Sequence, residues 1–362
     1  PDILEKTAMI YREAGQFKIN YQSDSAILPI VQDRMFMIGL MVVSFLVIPV
    51  LGSDYFLAGI LTPFLILSLA ALGLNILTGY AGQLSLGSAA FMAVGAFATY
   101  NFMIRIPGIP LLLALVLGGL MAALVGILFG LPSLRIKGFY LAVATLAAQF
   151  FIEWALTKFG WFTNYSSSGV ISAPEMQVFG IVIDTAAKKY LFTLAIVALL
   201  TLAAKNMVRS SLGRSWMAVR DMDVAAEVIG IPILKTKLLA FAISSFYCGI
   251  AGALWAFVLL GTVDPQAFDL HRSFQVLFMI IVGGVGSILG SYLGAAFIVL
   301  LPIVLNLIGQ LFHGAISTQF LSNMEMMLFG GLIIFFLIVE PLGLARLWQI
   351  AKEKLRMWPF PH

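Results

Sequence analysis

The chain is 362 residues long, 61% hydrophobic and 10% charged, with a mean hydropathy of +1.02 and a net charge of +4. Soluble domains carry roughly a quarter charged residues, so an ordinary soluble protein is excluded. A transmembrane barrel is excluded too, because it would show weak alternating segments of about ten residues where this chain has long continuous apolar runs.

Residues 1–34 are polar and mixed in charge, with no secretory signal, and read as a cytoplasmic N-terminal extension. Residues 35–340 read as an all-α polytopic helical membrane protein with about ten spans. The apolar runs lie at 35–51, 55–78, 84–104, 110–131, 139–157, 189–204, 238–261, 273–289, 291–309 and 323–340. A span needs about 20 residues, so the shorter runs predict thin or broken segments. Strict alternation from a cytoplasmic N-terminus places sixteen of the 21 Lys and Arg in 1–34, 132–138, 205–237 and the cytoplasmic tail 341–362. The positive-inside rule therefore puts both termini in the cytoplasm, and the 158–188 and 309–322 loops outside.

The most informative stretch within the spans runs from Leu72 to Phe91. It interleaves four glycines between 73 and 87 with Asn75, Thr78, Gln83, Ser85 and Ser88, and carries no charge. Helix-weakening glycines beside uncharged hydrogen-bonding side chains predict a broken helix lining a pathway, and close helix packing is the plainer alternative. Asn75, Thr78, Gly79, Gly82, Gln83, Ser85, Gly87 and Ser88 are the candidate pathway residues. No Asp or Glu falls at the centre of a run, and His271, His313 and His362 are isolated. The chain thus shows no ion-coupling carboxylate, no metal cluster and no hydrolytic triad, and the energy for any transport is expected to enter through a partner. With a single cysteine, Cys248, there is no disulfide framework. No cofactor and no nucleic-acid partner are expected.

Six basic residues crowd the polar loop 205–237. It reads as one short amphipathic helix, capped by Asp221 or Asp223 and stopped by Gly230-Ile231-Pro232. A loop of about thirty residues with its own helix touches something outside the membrane core, either a soluble partner or anionic lipid headgroups. Gly283-Gly284-Val285-Gly286-Ser287 lacks the Gly-Lys-Ser/Thr of a phosphate loop, and reads as a tight turn followed by a packing face at Gly290 and Gly294. The outer stretch Tyr165 to Pro174 reads as flexible and polar. Past Pro341, Leu344, Leu347, Trp348, Ala351 and Leu355 lie opposite Arg346, Lys352, Lys354 and Arg356, the pattern of a membrane-surface helix.

The run Leu74 to Tyr100, containing GYAGQLSLGSAAFMAVGAF, resembles the signature of the LivM family, permease subunits of bacterial branched-chain amino acid ABC importers. Leu134 to Tyr140, Gly213 to Leu254, Ile281 to Ser287 and Glu340 to Leu344 resemble the same family, in order, over most of the chain after about residue 70. The resemblance implies an ABC importer permease fold and a pathway for leucine, isoleucine, valine and related neutral amino acids. It also implies four partners: a second, LivH-like permease, two ATP-binding subunits and a periplasmic amino-acid-binding protein. The loop helix resembles the EAA-type coupling motif, which assigns ATPase coupling to Arg220, Asp223, Val224, Ala225, Ala226, Glu227, Val228 and Gly230. The alanine pair and the glycine remain, while the leading Glu is missing. Urea and short-amide permeases are built alike and stand as the alternative substrate class. An ion-coupled carrier and a non-transporting scaffold are the alternatives outside the class.

Overall fold

The computed structural model describes residues 31–131, 139–166, 169–178, 180–311, 318–340 and 342–357. The N-terminal extension to residue 30, the 132–138 motif, Ser167, Ser168 and the tail after 357 lie outside the described residues. The chain divides into two units, one spanning Asp54–Ala345 and the other made of the segments before and after it. The smaller unit holds α1 (Arg34–Leu51), an apolar helix long enough to cross a membrane.

The larger unit is a helical bundle. In chain order it contains α2 (Tyr55–Tyr80), α3 (Ser88–Arg105), α4 (Leu111–Gly130), α5 (Phe139–Lys158), α6 (Ala186–Arg209), α7 (Ser211–Asp221), α8 (Asp223–Val228) and α9 (Ile233–Leu260). These are followed by α10 (Leu270–Gly283), α11 (Ile288–Leu311) and α12 (Thr318–Val339). The amphipathic α13 spans Gly343–Met357. Each of the ten apolar runs corresponds to a helix. Among the described residues, seven of those helices (α1, α2, α4, α5, α6, α9 and α11) are long and apolar enough to cross a membrane. Two of the remaining three differ for local reasons. Helix α10 has 14 residues, about 21 Å at 1.5 Å per residue. Helix α3 begins only at Ser88 and carries Thr99, Asn101 and Arg105.

Glycines set the packing around α9, the most buried of the seven spans. A Cβ on Gly95 of α3 would lie 2.1 Å from the Gly249 carbonyl oxygen of α9, and one on Gly73 of α2 would lie 2.7 Å from Tyr247 Cβ. Helices this close gain dispersion contacts that lipid tails cannot supply. The 283–287 turn and its packing face form as the sequence predicts: Gly284 and Gly286 have φ of 124° and 80°, and a Cβ on Gly294 would strike the Met279 oxygen.

Two expectations change. The outer connector, whose stretch Tyr165 to Pro174 the sequence reads as flexible and polar, is anchored where it is described. Ile171 of β1 (Ile171–Ser172) pairs with Val263 of β4 (Thr262–Val263), and β2 (Gln177–Val178) pairs with β3 (Ile181–Val182). The Arg105 guanidinium stacks 3.8 Å from the centre of the Trp161 ring and donates to the Trp161 oxygen at 2.8 Å. The second change is in the 205–237 loop, which forms two helices. Met222, extended at φ −159°, separates α7 from α8. Neither Asp221 nor Asp223 is the cap: Asp221 ends α7 and accepts from Arg220 Nε, while Asp223 is the first residue of α8.

Candidate functional site

Helix α2 ends by loosening. Its last five residues, Ile76–Tyr80, are wound as a π-helix, and 81–87 are not helical before α3 starts at Ser88. The predicted break is therefore present. Inside it Gln83 N–H donates to the Leu77 oxygen at 3.0 Å instead of continuing the helix, and Thr78 Oγ1 donates to the Gln83 oxygen. This turn leaves the Gly79 carbonyl without its usual i+4 donor.

Two other segments meet this end of α2. Asn75, fully buried, donates through Nδ2 to the Ser287 oxygen at 2.8 Å and to Ser291 Oγ at 2.9 Å. Its Oδ1 accepts from Gly286 N at 2.8 Å. A side chain on Gly79 would collide with both Asn75 Oδ1 and Gly286 N, so glycine there is a condition of the contact. From the 205–237 loop, Arg220 Nη1 donates to the Gly79 oxygen at 2.9 Å. Gly82, at φ +69°, lies under the Arg220 stem, where a Cβ would come 2.7 Å from Arg220 Cγ. The structure thus joins one residue predicted for coupling to the glycines predicted for the pathway, which the sequence left as separate sites.

The far end of the break is held differently. Leu86 N donates to Thr145 Oγ1 on α5, Ala89 N to Ser273 Oγ on α10, and Ala90 N to Gln149 Oε1 on α5. Gln149 also accepts from Ser273 Oγ and donates to the Phe268 oxygen. Side chains from two other helices therefore satisfy the first amides of α3, the groups any helix leaves open at its N-terminus. Gly87 N donates to Ser85 Oγ at 3.3 Å. Asn75, Gly79, Gln83, Ser85, Gly87 and Ser88 are buried, Thr78 is half-buried and Gly82 is exposed. Both polar atoms of Gln83 and the Ser88 hydroxyl are buried without a protein partner. Such groups cost about 1–3 kcal/mol each.

In α8 the predicted coupling residues separate by face. Ala226 is buried at 2% exposure, whereas Val224, Ala225, Glu227 and Val228 face outward beside Met222 and Ile229. Gly230 at φ +89° ends the helix with both bonds of a Schellman motif, Gly230 N to the Glu227 oxygen and Ile231 N to the Ala226 oxygen. Trp216 of α7 is fully buried and donates to the Thr236 oxygen, which fixes the helix pair to the start of α9. Arg220 reaches from α7 toward the end of α2, where its Nη1 meets the Gly79 oxygen.

Reading the sequence for charges missed Thr145, Gln149, Ser273 and Ser291. Each is an uncharged hydrogen-bonding residue within an apolar run, and that feature was the available signal.

A profile described as "Branched-chain amino acid transport system / permease component" matches residues 56–337. The chain is 30% identical over 296 residues to "High-affinity branched-chain amino acid transport system permease protein LivM" of Escherichia coli K12, covering 75% of this chain and 66% of that protein. It is likewise 30% identical over 308 residues to the Salmonella typhimurium protein of that name, covering 79% of this chain and 69% of the relative. A "Probable branched-chain amino acid transport permease protein LivM" of Methanocaldococcus jannaschii is 24% identical over 313 residues, covering 76% of this chain and 89% of that protein. The chain spans about two thirds of the length of the two bacterial relatives. No solved structure matches it.

Proposed function

The chain belongs to the branched-chain amino acid transport permease family, and from that premise we propose that it is a membrane permease subunit of an ATP-driven importer for branched-chain, neutral apolar amino acids. In this reading it forms half of the translocation pathway in the inner membrane, with both termini in the cytoplasm. It works with a LivH-like second permease, two ATP-binding subunits and a periplasmic amino-acid-binding protein. ATP hydrolysis takes place in the partner subunits.

One observation carries the geometric side of this proposal. The same short loop presents an apolar face outward and reaches the broken helix inward. Met222, Val224, Val228 and Ile229 are 65–83% exposed on a loop between spans. Apolar residues grouped at an exposed surface fit a partner's groove. Arg220, two residues before Met222, is bonded to Gly79 at the end of α2. An ATPase holding α8 would therefore sit one side chain away from the pathway candidates Asn75, Thr78, Gly79, Gly82, Gln83, Ser85, Gly87 and Ser88. The unpartnered polar atoms of Gln83 and Ser88 support placing the pathway there, because they are the groups that gain most from contact with water or a polar solute.

The test is uptake by the reconstituted five-component complex in proteoliposomes. ATP at the ATPase face, with no ion gradient, is expected to drive leucine accumulation. Uptake that needs a gradient and ignores ATP would refute the proposal. Titrating the cognate binding protein with leucine and with urea separates the two substrate classes.

A further inference from the structure

We propose that Arg220 is a positioning residue that carries movement of the loop helices into a gate formed where Asn75 clasps the 286–291 turn. The inference rests on the importer reading and adds the part that converts a push on the loop into a change at α2.

Four features support it. First, Arg220 bridges two segments 141 positions apart, donating through Nη1 to the Gly79 oxygen at 2.9 Å. Its Nε is held by Asp221 Oδ1 at 2.8 Å, which fixes the guanidinium relative to its own helix. Second, the acceptor is a backbone carbonyl deprived of its helical donor by the break, so a charged donor takes over a bond the helix would otherwise make. Third, the surroundings are shaped to this side chain. Gly82 leaves room for the Arg220 stem, since a Cβ there would come 2.7 Å from Cγ and 3.1 Å from Cβ. Fourth, the segment Arg220 holds is the π-wound Ile76–Tyr80, a rare geometry that is frequent at functional sites.

The chain of contacts is short. Arg220 holds Gly79, Gly79 packs against Asn75 Oδ1 and Gly286 N, and Asn75 bonds Gly286, Ser287 and Ser291. Displacing α7 and α8 pulls on the Gly79 carbonyl and rewinds the π-turn. That rotates Asn75 away from the 286–291 segment and parts the ends of α2 and α11.

The experiment uses the whole reconstituted complex with Arg220→Gln and Arg220→Lys. Substrate uptake, binding-protein-stimulated ATPase activity and subunit co-purification are measured together. With Arg220→Gln, uptake is expected to fall about tenfold or more while ATPase activity stays within about twofold and the subunits co-purify. Arg220→Lys, which keeps the charge and loses the planar fork, is expected to recover part of the uptake. A second measurement guards against a folding defect. In a Cys248→Ala background, thiol labelling of Thr78→Cys is expected to change between nucleotide-free and nucleotide-trapped complexes when Arg220 is present. That change is expected to vanish with Arg220→Gln. Three results overturn the inference alone: ATPase activity and uptake falling in step, normal uptake with Arg220→Gln, or nucleotide-dependent labelling that survives the substitution. Absence of ATP-driven uptake with Arg220 in place refutes the importer reading, and this inference with it.

Discussion

Replacing Asn75 with alanine tests whether the clasp between α2 and the 286–291 turn holds the bundle together at this point. The side chain makes three bonds there, two as donor and one as acceptor. Their losses are unequal. The Ser287 oxygen keeps the Ser291 N–H at 3.2 Å, and Ser291 Oγ keeps its own donation to Ser287. Gly286 N–H, in contrast, loses the Asn75 oxygen to which it donates. Stranding that amide costs about 1–3 kcal/mol, and each interhelical donor bond lost in a membrane adds about 0.6 kcal/mol. The expected total is about 2–4 kcal/mol. Ser291→Ala removes one acceptor while Asn75 Nδ2 still bonds the Ser287 oxygen, so its cost is about 0.6 kcal/mol. Ser68→Ala removes only a hydroxyl bonded within its own helix to the Phe64 oxygen, and is expected to cost no more than that. Denaturant unfolding of the purified subunit in mixed micelles, followed by tryptophan fluorescence, gives the ranking. If Asn75→Ala is no worse than Ser68→Ala, the clasp does not contribute as argued.

Three further predictions follow from neighbouring geometry. Ala225→Leu on the outward face of α8 is expected to leave stability unchanged and to weaken ATPase co-purification. Ala226→Leu, on the buried face, is expected to destabilise the subunit by about 1–3 kcal/mol, and equal effects of the two on stability would contradict the face assignment. At Gly230, where a Cβ would meet open space, valine suffers only from the left-handed backbone. A cost of about 1–2 kcal/mol is expected, read as lost coupling of ATPase activity to uptake, with asparagine better tolerated. Gly95→Ala places a Cβ 2.1 Å from the Gly249 oxygen. It is expected to lower the thermal midpoint more than Gly39→Ala, where nothing lies within 4 Å.

Much of this architecture was legible in the amino-acid order because a membrane imposes long apolar runs, and each run became a helix. The glycine break, the 283–287 turn and the Gly230 stop were equally readable, since positive φ and helix interruption are local demands that glycine meets. Other features depended on which segments meet. The amphipathic pattern of 211–229 does not say that Met222 would divide it into α7 and α8, because the division accompanies the burial of Trp216 of α7 against Thr236 and of Ala226 on the inner side of α8. Gln149 and Ser273 look like incidental polar residues until α5 and α10 bring them to the open amides of α3. In the sequence Arg220 belongs with the coupling helix, with nothing to tie it to the pathway glycines. Only the tertiary fold turned it to the Gly79 carbonyl, an oxygen 141 positions away in the chain that lacks its helical donor where α2 unwinds.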